Sequence, residues 1–244
     1  MNMKLCCWLW VSLLFCSMVP PLLAGDVEFE ASGAILSHYM WRGQRLSEGG
    51  VFQPSLTAGY KGFSANIWGN RSFKQDQTNE VDFTVSYAGE KDKYNYEFGF
   101  IHYGVIDNVD SDELYTSLGY SNALNPNIKV YFDVNNGKGA YFQAALEPSI
   151  PLGKEASLNF KTYIGYVVKN SYMGTNDEGR EFSNFYNADF IISLTLPLGK
   201  GFSLEPMIGY STSLSQNARQ AIKSVSVGQA ANTLYGGATL TFSF

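Results

Sequence analysis

Apolar and polar positions alternate along most of the chain, and residues 232–244 alternate most regularly. One face of this stretch carries apolar or small residues, namely Leu234, Gly236, Ala238, Leu240, Phe242 and Phe244. Because the side chains of a strand point alternately to its two faces, this pattern predicts a strand with one apolar face. Such a strand suits a closed membrane barrel, whose last strand must pair with its first to remove both edges.

The same stretch resembles the C-terminal signal that directs bacterial outer-membrane barrels to insertion. The signal residues would be Tyr235, Gly237, Leu240, Phe242 and Phe244. We therefore expect this strand to have the barrel-assembly machinery as a partner. The alternative is an ordinary edge strand of a soluble sheet.

Alternation and turn residues together predict about twelve strands. These are 27–42, 52–60, 62–71, 80–89, 93–103, 113–121, 127–134, 139–149, 156–167, 184–196, 202–213 and 232–244. Short connections alternate with mostly longer ones, which is typical of outer-membrane barrels with short periplasmic turns and long extracellular loops. The sequence therefore predicts an all-β fold, a transmembrane antiparallel up-and-down β-barrel over residues 25–244.

Composition supports this class of protein. Charged residues make up 16% of the chain, below the usual share of about 25%. Aromatic residues make up 15%, and the chain has 24 glycines, as expected for aromatic girdles and tight turns. The net charge of −5 argues against nucleic acid as a partner.

The N-terminal residues form a separate segment. Lys4 precedes an apolar run that ends at Pro20 and Pro21, and Ala24 follows shortly afterwards. This pattern predicts a secretory signal peptide over residues 1–24, with a retained membrane anchor as the alternative. All 3 cysteines lie before the expected cleavage site, so we expect neither disulfides nor thiol chemistry in the mature chain.

Alternation alone does not decide which face of the barrel is outside. The signal peptide, the terminal Phe244 and aromatic residues near strand ends, among them Tyr39 and Trp41, favour lipid contact for the apolar face. A lipocalin-like barrel would have the opposite arrangement. We therefore expect the bacterial outer membrane as the location, with its lipid and lipopolysaccharide as partners.

The polar face would then line a lumen. Candidate pore-lining or constriction residues are His38, Arg42, Asn66, Trp68, Asp82, Glu97, Lys129, Asp133, Glu147, Lys161, Asp189 and Glu205. Charges that line a pore set its ion preference, so the acidic excess predicts a weak preference for cations. Bulky residues are also expected to face inward and either narrow the bore or stack against a sugar or nucleoside: Trp68, Tyr103, Tyr115, Tyr131, Tyr141, Tyr163 and Tyr235.

Candidates for catalysis are few. The chain has 2 histidines, His38 and His102, and no G-x-S-x-G or H-E-x-x-H motif. We expect no enzyme, no catalytic residue, no metal and no cofactor. The acidic stretch 107–113 is expected to be a solvated loop, with Ca²⁺ binding or bridging of lipopolysaccharide through divalent ions as the alternative.

Near the first hairpin the chain resembles a known family. Ser37, Tyr39, Arg42 and Gly43 follow the S-x-Y-x-x-R-G-x opening of the TorF-type outer-membrane porins, and residues 62–70 are similar to the G-F-x-x-x-x-W-x-[SN] strand that follows it. The resemblance covers about residues 30–70 and the terminal Phe. His38 stands where the family more often has Asp. The resemblance implies an outer-membrane barrel with a porin role.

The sequence thus predicts a narrow passive channel for small hydrophilic solutes. One alternative is a barrel enzyme that acts on lipid or peptide through His38 or His102. The other is a non-conducting barrel whose loops 168–183 and 214–231 bind a partner or adhere to a surface.

Overall fold

A computed structural model describes residues 27–106, 108–153, 155–176 and 178–244; the predicted signal peptide, residues 1–24, lies outside them. In chain order the strands are β1 Glu28–Leu36, β2 Met40–Trp41, β3 Gln44–Arg45, β4 Val51–Tyr60, β5 Phe63–Ser72, β6 Gln77–Lys91, β7 Tyr94–Val105, β8 Ser111–Tyr120, β9 Pro126–Asp133, β10 Ala140–Leu146, β11 Ser149–Leu152, β12 Ala156–Val168, β13 Ser183–Gly199, β14 Phe202–Ser213 and β15 Thr233–Ser243. The helix α1 spans Gln216–Val225, and single 3₁₀ turns span Ser171–Met173 and Val227–Gln229. Across the described ranges, no helix is long and apolar enough to cross a membrane.

The strands form one closed antiparallel barrel. Each barrel strand pairs with its neighbour in sequence, and β1 pairs with β15. Both β10 and β11 pair with successive parts of β12, so they are two halves of one interrupted strand. The wall therefore has 12 strands, and the predicted up-and-down barrel is confirmed.

The first and last strands close the barrel. At the end of β15 the backbone amides and carbonyls of Phe29 and Phe244 exchange two hydrogen bonds of 2.9 Å each. Their rings stack with centroids 5.5 Å apart. In the hydrocarbon core of a bilayer every backbone polar group needs a partner within the protein, which only closure gives to both edge strands.

Large apolar side chains cover the outside of the barrel. Phe63 is 62% exposed and Leu234 is 64% exposed, and the apolar positions of most strands share this orientation. Aromatic pairs gather at the end with the short turns: Phe63 with Tyr87, Tyr94 with Tyr120, and Phe202 with Phe242. This exterior matches a lipid-facing surface with an aromatic girdle, and it excludes the lipocalin-like arrangement.

The predicted first strand, 27–42, is wrong beyond Leu36. The chain leaves the sheet there and forms a small hairpin of β2 and β3 inside the barrel. Arg42 and Gly43 make its turn with positive φ angles of 47° and 84°, a backbone that cannot continue a strand. Tyr39 and Trp41, expected at the lipid interface, therefore lie in the lumen, where Tyr39 is 6% exposed.

Three long connections fold together in and over the lumen, and we call their described residues, 37–50, 169–176, 178–182 and 214–232, the luminal plug. Their apolar residues and those of the adjoining wall form one buried cluster: Tyr141, Val167, Met173, Phe182, Tyr186, Ala218, Ala221, Ile222 and Ala231. Two of the other loops at the same end are shorter than predicted, because strands β5 to β8 extend and leave residues 73–76 and the segment between Val105 and Ser111.

Closure of the barrel requires a residue without a side chain at Gly237, which can be tested. A Cβ at this position would overlap the carbonyl oxygen of Ile35 and lie 2.8 Å from the Cα of Leu36, both on the first strand. We expect Gly237→Ala to destabilise the barrel by about 1 to 3 kcal/mol through overpacking, measured by urea unfolding in detergent. Gly49→Ala is the control, since its nearest neighbour would be 3.8 Å away; equal losses in both variants would contradict the expectation.

Candidate functional site

The centre of the lumen is an ion pair between the hairpin and the barrel wall. Arg42 Nη1 donates to Glu113 Oε1 at 2.7 Å, and Arg42 Nη2 donates to Glu113 Oε2 at 2.6 Å. The Tyr103 hydroxyl also donates to Glu113 Oε2, at 2.8 Å. The two charged side chains are only 7% and 2% exposed. A buried bidentate pair of this kind fixes both the position and the orientation of the guanidinium.

Aromatic rings surround the same guanidinium. Arg42 Cζ lies 4.6 Å from the ring centroid of Trp41, 4.0 Å from that of Tyr131 and 4.8 Å from that of Tyr141. Cation–π attraction adds to the ion pair because the site is largely withdrawn from water. The loop hairpin is thereby anchored to strands β8, β9 and β10.

Hydrogen bonds join the hairpin to the rest of the luminal plug. Arg45 Nη2 donates to the carbonyl of Val227 at 2.8 Å, and Gln44 Nε2 donates to the carbonyl of Tyr172 at 3.0 Å. Gly43 faces Asn187 of β13 so closely that a Cβ there would lie 2.6 Å from the Asn187 Cβ. The hairpin is therefore held from both sides of the lumen.

We call Arg42 and its partners Glu113, Tyr103 and Tyr131 the Arg42 layer. One cavity lies on each side of it. The outer cavity, at the end with the long loops, has a volume of about 650 Å³ and is lined by Tyr39, Trp41, Tyr103, Glu113 and neighbouring residues. The inner cavity, at the end with the short turns, has a volume of about 540 Å³ and includes Tyr131 in its lining. Since Arg42 contacts Glu113 and Tyr103 on one side and Tyr131 on the other, it lies between the two spaces.

The inner cavity holds paired charges. Lys129 Nζ lies 3.4 Å from Glu97 Oε2, and Lys161 Nζ lies 2.7 Å from Glu147 Oε1. Lys129 also sits 4.2 Å from the ring centroid of Tyr115. Each lysine in this chamber thus has a carboxylate of its own.

The outer cavity differs in charge. Its described lining includes Glu80, Glu113 and Asp133 but no lysine, arginine or histidine. Tyr172 from the luminal plug completes one wall, and burial raises the pKa of its hydroxyl above the usual value. That hydroxyl therefore remains a hydrogen-bond donor at neutral pH.

Several predicted lumen residues have local structural partners. Asn66 Nδ2 donates to Ser55 Oγ at 2.7 Å and to Thr57 Oγ1 at 2.8 Å. Trp68 packs against Tyr39 with ring centroids 5.5 Å apart. These contacts join β5 to its neighbour β4 and to the start of the luminal plug.

Three of the predicted acidic lumen residues accept hydrogen bonds from nearby groups, and a fourth has an oxygen without a partner. Asp133 accepts hydrogen bonds from the backbone amides of residues 135, 137 and 138 and so shapes the loop after β9. Glu205 accepts a hydrogen bond from Thr195 Oγ1 at 3.4 Å, and Asp189 Oδ2 accepts one from Asn187 Nδ2. Asp82 differs from these, because one of its buried carboxylate oxygens has no hydrogen-bond partner among the described residues.

The sequence interpretation missed Glu80 and Glu113. The expectation of a solvated loop over 107–113 is wrong for Glu113, which lies in β8 and is 2% exposed. The signal was present in the alternation: Glu113 shares a face with Tyr115, and Glu80 shares one with Asp82. Each residue stood at the first position of its predicted strand, 80–89 or 113–121, whereas in the structure both strands begin before it, at Gln77 and Ser111.

The two histidines lie on different sides of the barrel wall. His38 borders the inner cavity. His102 occupies an outward position at the rim, where its Nδ1 lies 2.8 Å from Asp112 Oδ1. They therefore cannot act in one site. Among the described residues, no group of three or more His, Cys, Asp or Glu side chains is placed to hold a metal ion.

Comparisons with known proteins identify the fold. No model of a protein family matches the sequence, and no curated protein matches it. The NanC porin structure is similar at 15% identity with a TM-score of 0.53, over 88% of this chain and 98% of that one. The KdgM porin is similar at 11% identity with a TM-score of 0.54, over 89% of this chain and 99% of that one. The chain thus has the fold of these porins, and its apolar exterior agrees with the predicted outer membrane.

The buried ion pair yields a second testable prediction. Arg42→Ala leaves Glu113 buried without its counter-ion, so we expect the free energy needed to open the hairpin to fall by about 3 kcal/mol. The protection of its backbone amides against hydrogen exchange should then fall about a hundredfold. Hydrogen exchange of the amides in 40–45 measures this, with strand β7 of the same sample as internal reference.

Arg71→Ala is the matched control, because Arg71 pairs with Asp76 at the surface, where the two side chains are 44% and 88% exposed. Removing an exposed pair costs less than about 1 kcal/mol. Unchanged exchange in the hairpin of Arg42→Ala would contradict a structural role for the Arg42–Glu113 pair.

Proposed function

We propose that this protein is a narrow passive channel of the bacterial outer membrane for small hydrophilic solutes, and that it is a TorF-type porin. The observation that carries the proposal is the pair of polar cavities, about 650 Å³ and 540 Å³, that follow one another inside a barrel with an apolar exterior. A wall of this kind separates a polar lumen from lipid. The porin fold of the chain supports the same function.

The constriction in this proposal is the Arg42 layer. Arg42, Glu113, Tyr103 and Tyr131 meet there, between the outer and the inner cavity. Trp68 flanks the layer through its contact with Tyr39. A solute that crosses the barrel passes this ring of one cation, one carboxylate and aromatic rings, which sets both its size limit and its charge preference.

The resemblance to TorF-type porins gains support from where its motif residues lie. Ser37 Oγ accepts a hydrogen bond from the backbone amide of Gly236, at 3.1 Å, and so joins the hairpin to the closing strand. Tyr39 contacts Trp68, and Arg42 with Gly43 forms the turn into the lumen. The two separate motifs of the sequence therefore act together to insert and hold the hairpin.

The remaining parts of the proposal concern the envelope. Residues 1–24 act as a secretory signal peptide that is removed before assembly. The barrel-assembly machinery engages the last strand, whose Leu240, Phe242 and Phe244 lie on the lipid side. Lipopolysaccharide surrounds the long-loop end, as it does for barrels in the outer leaflet.

Solute charge separates this chain from one of its structural neighbours. The KdgM porin has also been observed in complex with disordered oligogalacturonate, an anionic saccharide. Here Glu80, Asp82 and Glu113 lie in the outer half of the lumen, where Arg42 pairs with Glu113. We therefore propose that this channel admits neutral or cationic solutes in preference to polyanions.

Conductance in a planar bilayer tests the channel. Residues 25–244, refolded and checked for heat-modifiable gel migration, should give small, stable steps with a reversal potential that favours K⁺ over Cl⁻. We expect Arg42→Ala to give several-fold larger steps and stronger cation preference, because it removes the bulk and the positive charge at the constriction.

Arg219→Ala is the control for that experiment, since Arg219 is exposed on helix α1. It should leave the step size unchanged. A folded barrel without conductance would refute the channel. The packed luminal plug would then favour the second candidate, a closed barrel whose loops bind a partner.

A further inference from the structure

Two carboxylates in the outer half of the lumen have no counter-ion among the described residues. Glu80 lines the outer cavity, and Asp82 is the next inward position along β6; each is only 8% exposed. The hydroxyl of Tyr39 hydrogen-bonds to Glu80. Asp82 receives a backbone hydrogen bond from Gly104, while its Oδ1 has no partner. A buried carboxylate oxygen without a donor favours the arrival of a cation or donor from outside the chain.

The other two carboxylates of the outer cavity are already engaged. Arg42 and Tyr103 occupy Glu113. Backbone amides of the loop after β9 and the hydroxyl of Ser111 occupy Asp133. The carboxyls left without a counter-ion among the described residues are therefore Glu80, which faces the cavity, and Asp82, which lies behind it.

Aromatic rings form the walls beside this charge. Trp41 and Tyr103 meet edge to face with centroids 6.1 Å apart, and Tyr39 and Tyr172 also line the cavity. Side-chain amides complete the lining: Gln44, Gln75, Gln77, Asn79 and Asn108. Rings offer cation–π contact and an apolar face, and amides offer hydrogen bonds to hydroxyl groups.

The inner cavity lacks this combination. Its two lysines are each paired with a glutamate, so its charges are balanced. Selection by charge therefore belongs to the outer cavity, which a solute from the long-loop side meets first.

We propose that the outer cavity binds a small amine-bearing solute of about one or two sugar rings in size, with its ammonium group at Glu80, in front of Asp82, and its apolar face on Trp41 and Tyr103. The volume of about 650 Å³ suits a ligand of this size. Aromatic walls and two carboxyls without a counter-ion among the described residues suit an organic cation better than a metal ion, which prefers a shell of oxygens. This inference rests on the proposed channel, because it names the solute class that the channel selects.

Intrinsic fluorescence offers a direct probe. The chain has 4 tryptophans, and Trp8 and Trp10 fall within residues 1–24. Residues 25–244, which contain every described strand, therefore keep only Trp41 in the cavity wall and Trp68 next to Tyr39. Any saturable change in emission upon titration reports on this part of the lumen.

The experiment compares three probes that share a pyranose ring and differ in charge: glucosamine, glucose and glucuronate. At neutral pH we expect saturable binding of glucosamine, about tenfold weaker binding of glucose, and no binding of glucuronate. Equal affinity for all three, or tighter binding of glucuronate, would overturn the proposal without any variant.

Glu80→Gln keeps the shape of the side chain and removes its charge. We expect it to weaken glucosamine binding about tenfold and to leave glucose binding unchanged. Glu48→Gln is the control, since Glu48 lies at the same end of the barrel in an exposed pair with Lys74. An unchanged glucosamine affinity in Glu80→Gln would refute the site.

Conductance of the same preparation separates this site from the channel. Glucosamine binding without conductance would support the site and refute the channel. Conductance without charge-selective binding would support the channel and refute the site. Heat-modifiable migration of each variant shows whether its barrel has folded.

Discussion

The ion pair between Arg42 and Glu113 determines how the inside of this barrel is organised. It connects a loop hairpin to the wall across 71 residues of sequence, and it buries both charges in a region that four aromatic rings enclose: Trp41, Tyr103, Tyr131 and Tyr141. Burying either charge alone would be costly, so each is stable there only with the other. The division of the lumen into an outer and an inner cavity follows from this one contact, because the hairpin that carries Arg42 occupies the middle of the bore.

The outside of the barrel obeys a different constraint. In a bilayer the backbone has no water to bind, so the wall must close on itself, and here β1 and β15 close it through paired bonds between Phe29 and Phe244. The hairpin can fold inward only because β1 ends at Leu36 and the wall is complete without it. Closure of the barrel and filling of its lumen are therefore independent. Closure gives the backbone polar groups of the edge strands their hydrogen-bond partners, and the luminal plug sets the space that remains for a solute.

Charge is distributed unevenly within that space. The inner chamber pairs Lys129 with Glu97 and Lys161 with Glu147, whereas in the outer half of the lumen no described cation pairs with Glu80 or Asp82. The net acidity of the whole sequence gives no hint of this division. In the proposed channel, carboxyls at the outer side and balanced charges at the inner side would concentrate a cationic solute where it arrives and release it where the field is weaker.

The sequence by itself determined the wall of this protein. Side-chain alternation has a period of two and acts locally, so it gave the strands, the apolar face of positions such as Phe63 and Leu234, and the pairing of the last strand with the first. It failed where a local rule no longer applies. Tyr39 and Trp41 continue the alternation of β1, yet the left-handed turn at Arg42 and Gly43 carries them into the lumen. Glu113 follows an acidic stretch, yet it is buried because Arg42 reaches it from a distant segment. Only the tertiary structure decided the site, since its contacts join segments far apart in sequence whose proximity depends on the closed barrel.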